Sequence, residues 1–341
     1  MIVVTQSFGS TDTGRKRRRN EDAFVCEPPL FAVADGMGGA QAGELASGLA
    51  AAALREGGSG SDTGERRVAE LIQEANRRVH DRAITDAAAS GMGTTVTAAL
   101  VDATGHVAFG HVGDSRAYIL RDGRLDQLTD DHSLVAELVR RGELSPAEAE
   151  SHPQRSVITR ALGTDPDVDV DTFSVDARTG DVFLICSDGL SSYVDGAEIE
   201  QLVLQHRGDL AAGTRALIQA ANRGGGDDNI TAVLFEVGTA GEPDERTREY
   251  ATAPAPPPDD EDTLHPEDNV VLPPELLDGH PADDTVVVSA AELAAARESA
   301  AAVAAVPAEP EAGLGRRLLA SLVIVALVAL IVVLAWWGLA R

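Results

Sequence analysis

Val33-Ala34-Asp35-Gly36-Met37-Gly38-Gly39 and Ser187-Asp188-Gly189-Leu190 each end an apolar, strand-like run on an aspartate followed by glycine. Carboxylates set at strand ends are how a rigid sheet presents oxygen ligands to hard cations. A third acidic string, Gly226-Asp227-Asp228-Asn229-Ile230-Thr231, opens the apolar run from Ile230 to Val237. Antiparallel pairing of that run with Asp181 to Cys186 would bring Asp188 and Asp228 to one sheet edge. A fourth acid joins by similar logic. Ala23 to Cys26 and Phe31 to Ala34 are separated only by Glu27-Pro28-Pro29-Leu30. A hairpin there lands Asp22 and Asp35 at the same end. The turn Gly113-Asp114-Ser115-Arg116, between two further apolar runs, adds Asp114. One Asp-Gly pair is ordinarily a turn; three such strings at strand ends in one region point to a metal cluster.

Working outward, Ile2 to Phe8, Thr94 to Val101, Val107 to Val112 and Ala117 to Arg121 also read as strands. Glu44 to Arg55 and Glu65 to Ala88 read as long helices, the second with Val68, Leu71, Ile72, Ala75, Val79 and Ile84 near helical spacing. Shorter helices are expected at Leu134 to Arg141, Ala197 to Gln205 and Leu210 to Ala221. Several strand pairs are joined by short turns, which favours antiparallel sheets with helices packed outside, a layered α+β domain, over a doubly wound parallel sheet.

Three regions follow from composition. Residues 1–238 carry nearly all the motifs. Residues 239–315 turn to Pro, Ala and acids, as in Ala253-Pro254-Ala255-Pro256-Pro257-Pro258-Asp259-Asp260-Glu261-Asp262. Such a stretch buries too little apolar surface to offset chain entropy and reads as a disordered, self-repelling linker. Residues 318–339 then run without a charge and include Trp336-Trp337. About 22 residues make a helix of roughly 33 Å, long enough to cross a hydrocarbon core. Arg316 and Arg317 precede it, which places its N-terminal side in the cytoplasm. No charged-then-apolar signal segment opens the chain. The expectation is a cytoplasmic domain tethered by a single C-terminal span.

The formal charge of −27 argues against a nucleic-acid binder, which needs a basic face. The local exception, Arg15-Lys16-Arg17-Arg18-Arg19, sits just before Asn20-Glu21-Asp22 and is a candidate phosphate-binding run. Cys26 and Cys186 are the only cysteines, each inside an apolar run; they read as buried thiols, with no disulfide or zinc framework. Oxygen ligands without His or Cys clusters favour Mg²⁺ or Mn²⁺. Two such ions sharing a carboxylate lower the pKa of a water, aim it at phosphorus and neutralise the phosphoryl oxygens. No Cys-based phosphatase loop and no Gly-rich Lys-Ser/Thr nucleotide loop occurs.

In order along the chain, Arg17-Arg18-Arg19-Asn20-Glu21-Asp22, Asp35-Gly36-Met37-Gly38-Gly39, Gly93-Thr94-Thr95, Gly113-Asp114-Ser115-Arg116, Ser187-Asp188-Gly189 and Asp228-Asn229-Ile230-Thr231 resemble the motifs of type 2C metal-dependent protein phosphatases, across residues 5–237. The resemblance implies a four-layer α-β-β-α sandwich of antiparallel sheets flanked by helices, and hydrolysis of phosphoserine and phosphothreonine in proteins. It implies two Mn²⁺ or Mg²⁺ ions, bridged by Asp35, with the Gly36 carbonyl, Asp188 and Asp228 as further ligands. Asp22 is then an acid holding water on the metals, Asp114 a ligand for a third ion, and Arg17 the phosphate binder, five residues before Asp22. Arg18 and Arg19, its immediate neighbours, are the alternative registers. Met37 stands where many eukaryotic relatives have a histidine, so the proton source is unassigned. His132 and His152 read as bland residues of the segment from Leu128 to Leu162, which resembles the flap beside the active site of bacterial members.

Family and location together imply phosphorylated proteins and membrane-associated Ser/Thr kinases as partners. The competing readings are a non-catalytic phosphoprotein-binding scaffold on the same fold, which loss of a core acid would favour, and a phosphatase dedicated to one bacterial regulator. No core acid is lost. Thr263 and Thr285, each preceded by acids in the linker, are candidate kinase sites against a bland reading as solvated chain.

Overall fold

The computed structural model describes residues 2–38, 42–58, 63–150, 152–239 and 286–287. Two antiparallel sheets stack face to face. The first has the order β1-β12-β11-β7-β8, from β1 (Ile2–Asp12), β12 (Ile230–Thr239), β11 (Val182–Cys186), β7 (Arg116–Arg121) and β8 (Arg124–Gln127). The second runs β10-β6-β5-β3-β2, from β10 (Asp171–Asp176), β6 (His106–Val112), β5 (Val96–Val101), β3 (Leu30–Met37) and β2 (Asp22–Glu27), with β4 (Gly93–Thr94) also on β3. Helices α1 (Ala42–Gly58) and α2 (Glu65–Thr85) cover the second sheet. Helices α5 (Asp188–Ser191), α6 (Gly196–Gln205) and α7 (Leu210–Gly224) cover the first. Short helices α3 (Leu134–Arg140) and α4 (Pro146–Glu150) and the two-residue strand β9 (Val157–Ile158) make up the flap.

The inner strands are buried on both faces, and the period-two alternation of side chains sorts them into three apolar layers. On β3, Phe31 and Val33 point between the sheets while Ala32 and Ala34 point at the helices. On β11, Phe183 and Ile185 face the other sheet and Val182, Leu184 and Cys186 face α5–α7. Phe31, Phe235 and Phe183 stack through the middle layer, with centroids 4.1 and 4.9 Å apart. Alanines on the helix side of β3 meet Ala46, Ala50 and Ala53 of α1, and small residues on both surfaces let that helix lie close to the sheet.

The layered α+β expectation holds. On α2, Val68, Leu71, Ile72, Ala75 and Val79 are buried as the spacing implies, but Ile84 is 68 % exposed. The helix stops at Thr85, not Ala88, because Asp86 turns extended and its carboxylate accepts from the Ala88 N–H, capping a separate 3-10 turn. Cys186 is buried but Cys26 only partly so; both are free, and burial pushes the Cys186 thiol up to about 12. The 318–339 segment, and all of the linker beyond Thr239 except Val286–Val287, lie outside the described residues. Among the described residues, no helix is long and apolar enough to cross a membrane.

Candidate metal centre and phosphate site

The hairpin β2–β3 pairs Asp22 directly opposite Asp35. Pairing of β11 with β12 sets Cys186 against Ala232, so Asp188, just after β11, and Asp228, just before β12, emerge at one edge. Asp114 sits in the turn that carries the chain from β6 on one sheet to β7 on the other. Strand register therefore sets Asp22 against Asp35 and brings Asp188 and Asp228 to one edge, as the sequence implied, while Asp114 is placed by the turn.

Several motif residues hold the backbone of that edge. Thr95 N–H and Thr94 Oγ1 both donate to the Asp35 carbonyl, at 2.8 and 2.9 Å, and the Asp35 N–H donates to Thr95 Oγ1 at 3.0 Å. At Gly36 a Cβ would lie 2.1 Å from the Gly43 carbonyl oxygen and 2.6 Å from that of Glu21, so only glycine lets the three backbones meet there. Asp22 ends a directed chain of hydrogen bonds. The Asn20 amide donates to Thr11 Oγ1 (2.7 Å), which leaves the Thr11 hydroxyl proton for Thr231 Oγ1 (2.6 Å), and Thr231 donates to Asp22 Oδ2 (2.6 Å).

Electrostatically the edge is loaded with negative charge. Burial, opposed by hydrogen bonds from Thr231 and Ser187 and reinforced by Asp188 and Asp228, pushes Asp22 up to about 7. Burial first, then the Asp228 charge, pushes Asp188 up to about 6. Asp35 and Asp114 are also held well above the usual carboxylate range, by burial and then by the neighbouring acids. Asp22 Oδ1 and Asp188 Oδ1 are buried and have no hydrogen-bond partner among the described residues. Orphaned carboxylate oxygens in a repelling cluster fit a cation. Among the described residues, no three His, Cys, Asp or Glu side chains close into a ready cage.

Of the three consecutive arginines, Arg17 is the one turned inward. It is half-buried and its guanidinium donates to Asp228 Oδ2 at 2.9 Å, whereas Arg18 and Arg19 are exposed. Asn229 fixes that loop: its Oδ1 accepts from the Glu21 N–H (2.7 Å) and its Nδ2 donates to the Thr13 and Arg19 carbonyls (3.0 and 2.9 Å). Sequence reasoning placed Asn229 inside a motif without giving it this role. It also missed Arg155 and Ser156, which reach from the flap into the cleft lined by Asp188, Tyr193, Asp227 and Asp228.

His132 is a structural residue, in keeping with the bland reading. It is buried, its Nδ1 accepts from the Gly113 N–H (3.0 Å) and its Nε2 lies 3.1 Å from Asp171 Oδ2. With Nδ1 accepting, the proton sits on Nε2 and faces Asp171, so the ring braces the turn before Asp114. His152 is half-buried and its Nδ1 accepts from the Gln154 N–H within the flap.

Carboxylates for hard cations with a guanidinium beside them, on a helix-covered double sheet, are the donor set of metal-assisted phosphate-ester chemistry. The chain belongs to the protein phosphatase 2C family, whose profile matches residues 14–234. It is 41% identical over 237 residues to the serine/threonine phosphatase stp of Listeria innocua, covering 66% of this chain and 93% of that one. The crystal structure of the Mycobacterium tuberculosis serine/threonine phosphatase PstP superposes with a TM-score of 0.66 at 38% identity, over 70% of this chain and all of that one. The catalytic domain of PstP in complex with two manganese ions superposes with a TM-score of 0.65 at 36% identity, again over 70% of this chain and all of that one.

Proposed function

We propose that this protein hydrolyses phosphoserine and phosphothreonine esters in proteins at a dinuclear Mn²⁺ or Mg²⁺ centre. The observation that carries the reading is the meeting of Asp22, Asp35, Asp188 and Asp228 at one sandwich edge, two of them with orphaned buried oxygens, beside Arg17. Asp35, the Gly36 carbonyl, Asp188 and Asp228 would hold the two ions, and Asp114 a third. Bound there, the ions would supply a water of lowered pKa and neutralise the phosphoryl oxygens. The chain's own residues do the rest. The Arg17 fork binds two phosphoryl oxygens at once, with Asp228 aiming it. Thr231, fed by Thr11 and Asn20, keeps Asp22 Oδ2 engaged and leaves the buried Oδ1 without a partner among the described residues and able to accept a proton.

Residues 318–339 are read as a membrane span with the catalytic domain on the cytoplasmic side, and membrane-associated Ser/Thr kinases and their substrates as partners. The uncharged run and the Arg316-Arg317 pair before it support this. The deciding experiment is phosphate release from phosphothreonine and phosphotyrosine peptides with Mn²⁺ and with EDTA, alongside Asp35→Asn. Release from phosphothreonine that needs Mn²⁺ and Asp35 is expected; equal turnover in EDTA would sink the mechanism.

A further inference from the structure

The flap strand β9 has two edges. On one, Ile158 bridges to Ser133 and the Thr159 N–H donates to the His132 carbonyl at 2.8 Å. On the other lies β13 (Val286–Val287), a piece of the C-terminal acidic region, paired in parallel as Val286 with Val157 and Val287 with Ile158. Ile158 itself is anchored, packed with Met37 and Ala161 beside the strand that carries Asp35. The two residues just before β9, Arg155 and Ser156, line the cleft over Asp188 and Asp228. A chain added to this edge therefore runs alongside the approach to the site.

We infer that this edge of β9 is a docking edge for the chain's own segment around Val286–Val287, which competes in cis with protein substrates for entry to the cleft. The kinetic part of this inference rests on the phosphatase reading; the docking itself does not. Three observations carry it. The segment reads Asp283-Asp284-Thr285-Val286-Val287-Val288, a β-branched run suited to adding a strand to an exposed edge. The acids precede Val286 in the chain just as Arg155 precedes Val157, so in a parallel pairing acidic sequence comes before one strand and a cation before the other. The intervening sequence is long enough: a Pro/Ala/acidic stretch of the length of residues 240–285, read from composition as a linker, would reach about 5–6 Å × √n, roughly 35–40 Å. Two-residue pairing is weak by itself, and weakness suits a competitor that substrates must displace.

A tether of this kind sets an effective concentration on the order of 1 mM, so docking with a Kd of about 0.5 mM raises the apparent KM about threefold. The test uses the full-length chain in detergent micelles, comparing wild type with Val286→Pro/Val287→Pro and with the conservative Val286→Ile/Val287→Ile. Hydrogen exchange at the Ile158 amide should quicken in the proline variant only, while the Val157 amide, which donates to the Gln154 carbonyl within the flap, keeps its rate. Its KM for a phosphothreonine peptide should fall about threefold with kcat unchanged, while p-nitrophenyl phosphate, too small to need the edge, is turned over as before. Identical exchange in wild type and proline variant overturns the docking, and an unchanged KM overturns the competition. A KM difference that grows with enzyme concentration would place the tail on a second copy and overturn the cis arrangement. Altered exchange without phosphatase activity in any form would leave docking standing and remove the phosphatase reading instead.

Discussion

Replacing Asp188 with asparagine should make the metal-free protein more stable while making it a poorer enzyme. In the folded chain, burial and then the Asp228 charge lift this carboxyl from an ordinary 3.8 to about 6. A rise of about 2 units corresponds to about 3 kcal/mol, at 1.36 kcal/mol per unit. The sign follows from proton linkage. A carboxyl whose folded pKa is raised binds its proton more tightly folded than unfolded, so metal-free stability falls as pH rises from about 4 to about 6, and the whole cost is present above that. Asparagine removes the cost but gives up the favourable charge in the first turn of α5, about 0.3–1 kcal/mol. The net gain is about 2 kcal/mol at pH 8, or about 4–8 °C in Tm for a domain of this size, and it should vanish by pH 4. Saturating Mn²⁺ reverses the order, because a ligand at a thousand times its Kd adds about 4 kcal/mol to the wild type and far less to a variant short of one ligand. Thermal unfolding of both proteins in EDTA and in Mn²⁺, at pH 8 and pH 4, reads all four corners. A variant less stable than wild type in EDTA at pH 8 would refute the claim that these acids repel one another across an empty centre.

Arg17→Ala should raise KM for a phosphothreonine peptide about tenfold, the loss of a charge-assisted contact of about 1.4 kcal/mol, while Arg18→Ala leaves it unchanged; steady-state kinetics on the three proteins compare them. Asn229→Ala removes three hydrogen bonds that join the 13–21 loop to the segment leading into β12, and should cost about 2–4 kcal/mol by denaturant unfolding. Deleting residues 317–341 should move the protein from the carbonate-resistant membrane fraction to the soluble fraction with its rate on p-nitrophenyl phosphate unchanged.

The acid cluster was legible because it depends on two things a sequence displays, the ends of apolar runs and the short turns that force antiparallel pairing. Asp22 opposite Asp35 follows from Glu27-Pro28-Pro29-Leu30 alone. The arginine was not separable from its neighbours in the same way, since three consecutive guanidiniums differ only in which one the loop turns inward. The loop turns Arg17 inward through contacts distant in sequence. Gly14, at φ +78°, lies where a Cβ would come 2.2 Å from the Asp228 carbonyl, and the Arg15 N–H donates to the Gly226 carbonyl at 2.6 Å. Two of the four edge strands, β8 and β10, escaped for another reason. On β8 no residue is fully buried, and on β10 Phe173 and Val175 are only partly so, so neither shows the apolar run that marks a central strand. His132 gave no signal because its role lies in hydrogen bonds to Gly113 and Asp171, residues 19 and 39 positions away.

The acids are also divided between the sheets in a way that bears on how the fold and the chemistry depend on each other. Asp22 and Asp35 belong to strands of one sheet, while Asp188 and Asp228 flank strands of the other. Asp114 lies on the connection that passes between them. Within the sandwich the sheets are held by the aromatic layer of Phe31, Phe235, Phe183 and Phe109, which is apolar and non-directional. At the edge, that attraction gives way to repulsion among carboxylates held above their ordinary pKa by burial. Cations held there by Asp35, Asp188 and Asp228 would offset that repulsion, so the residues that hold them would serve both the chemistry and the closure of this edge. Loss of metal should then loosen the edge before the core, with hydrogen exchange rising first at Gly36 and Asp228 and last at Phe183 and Phe235.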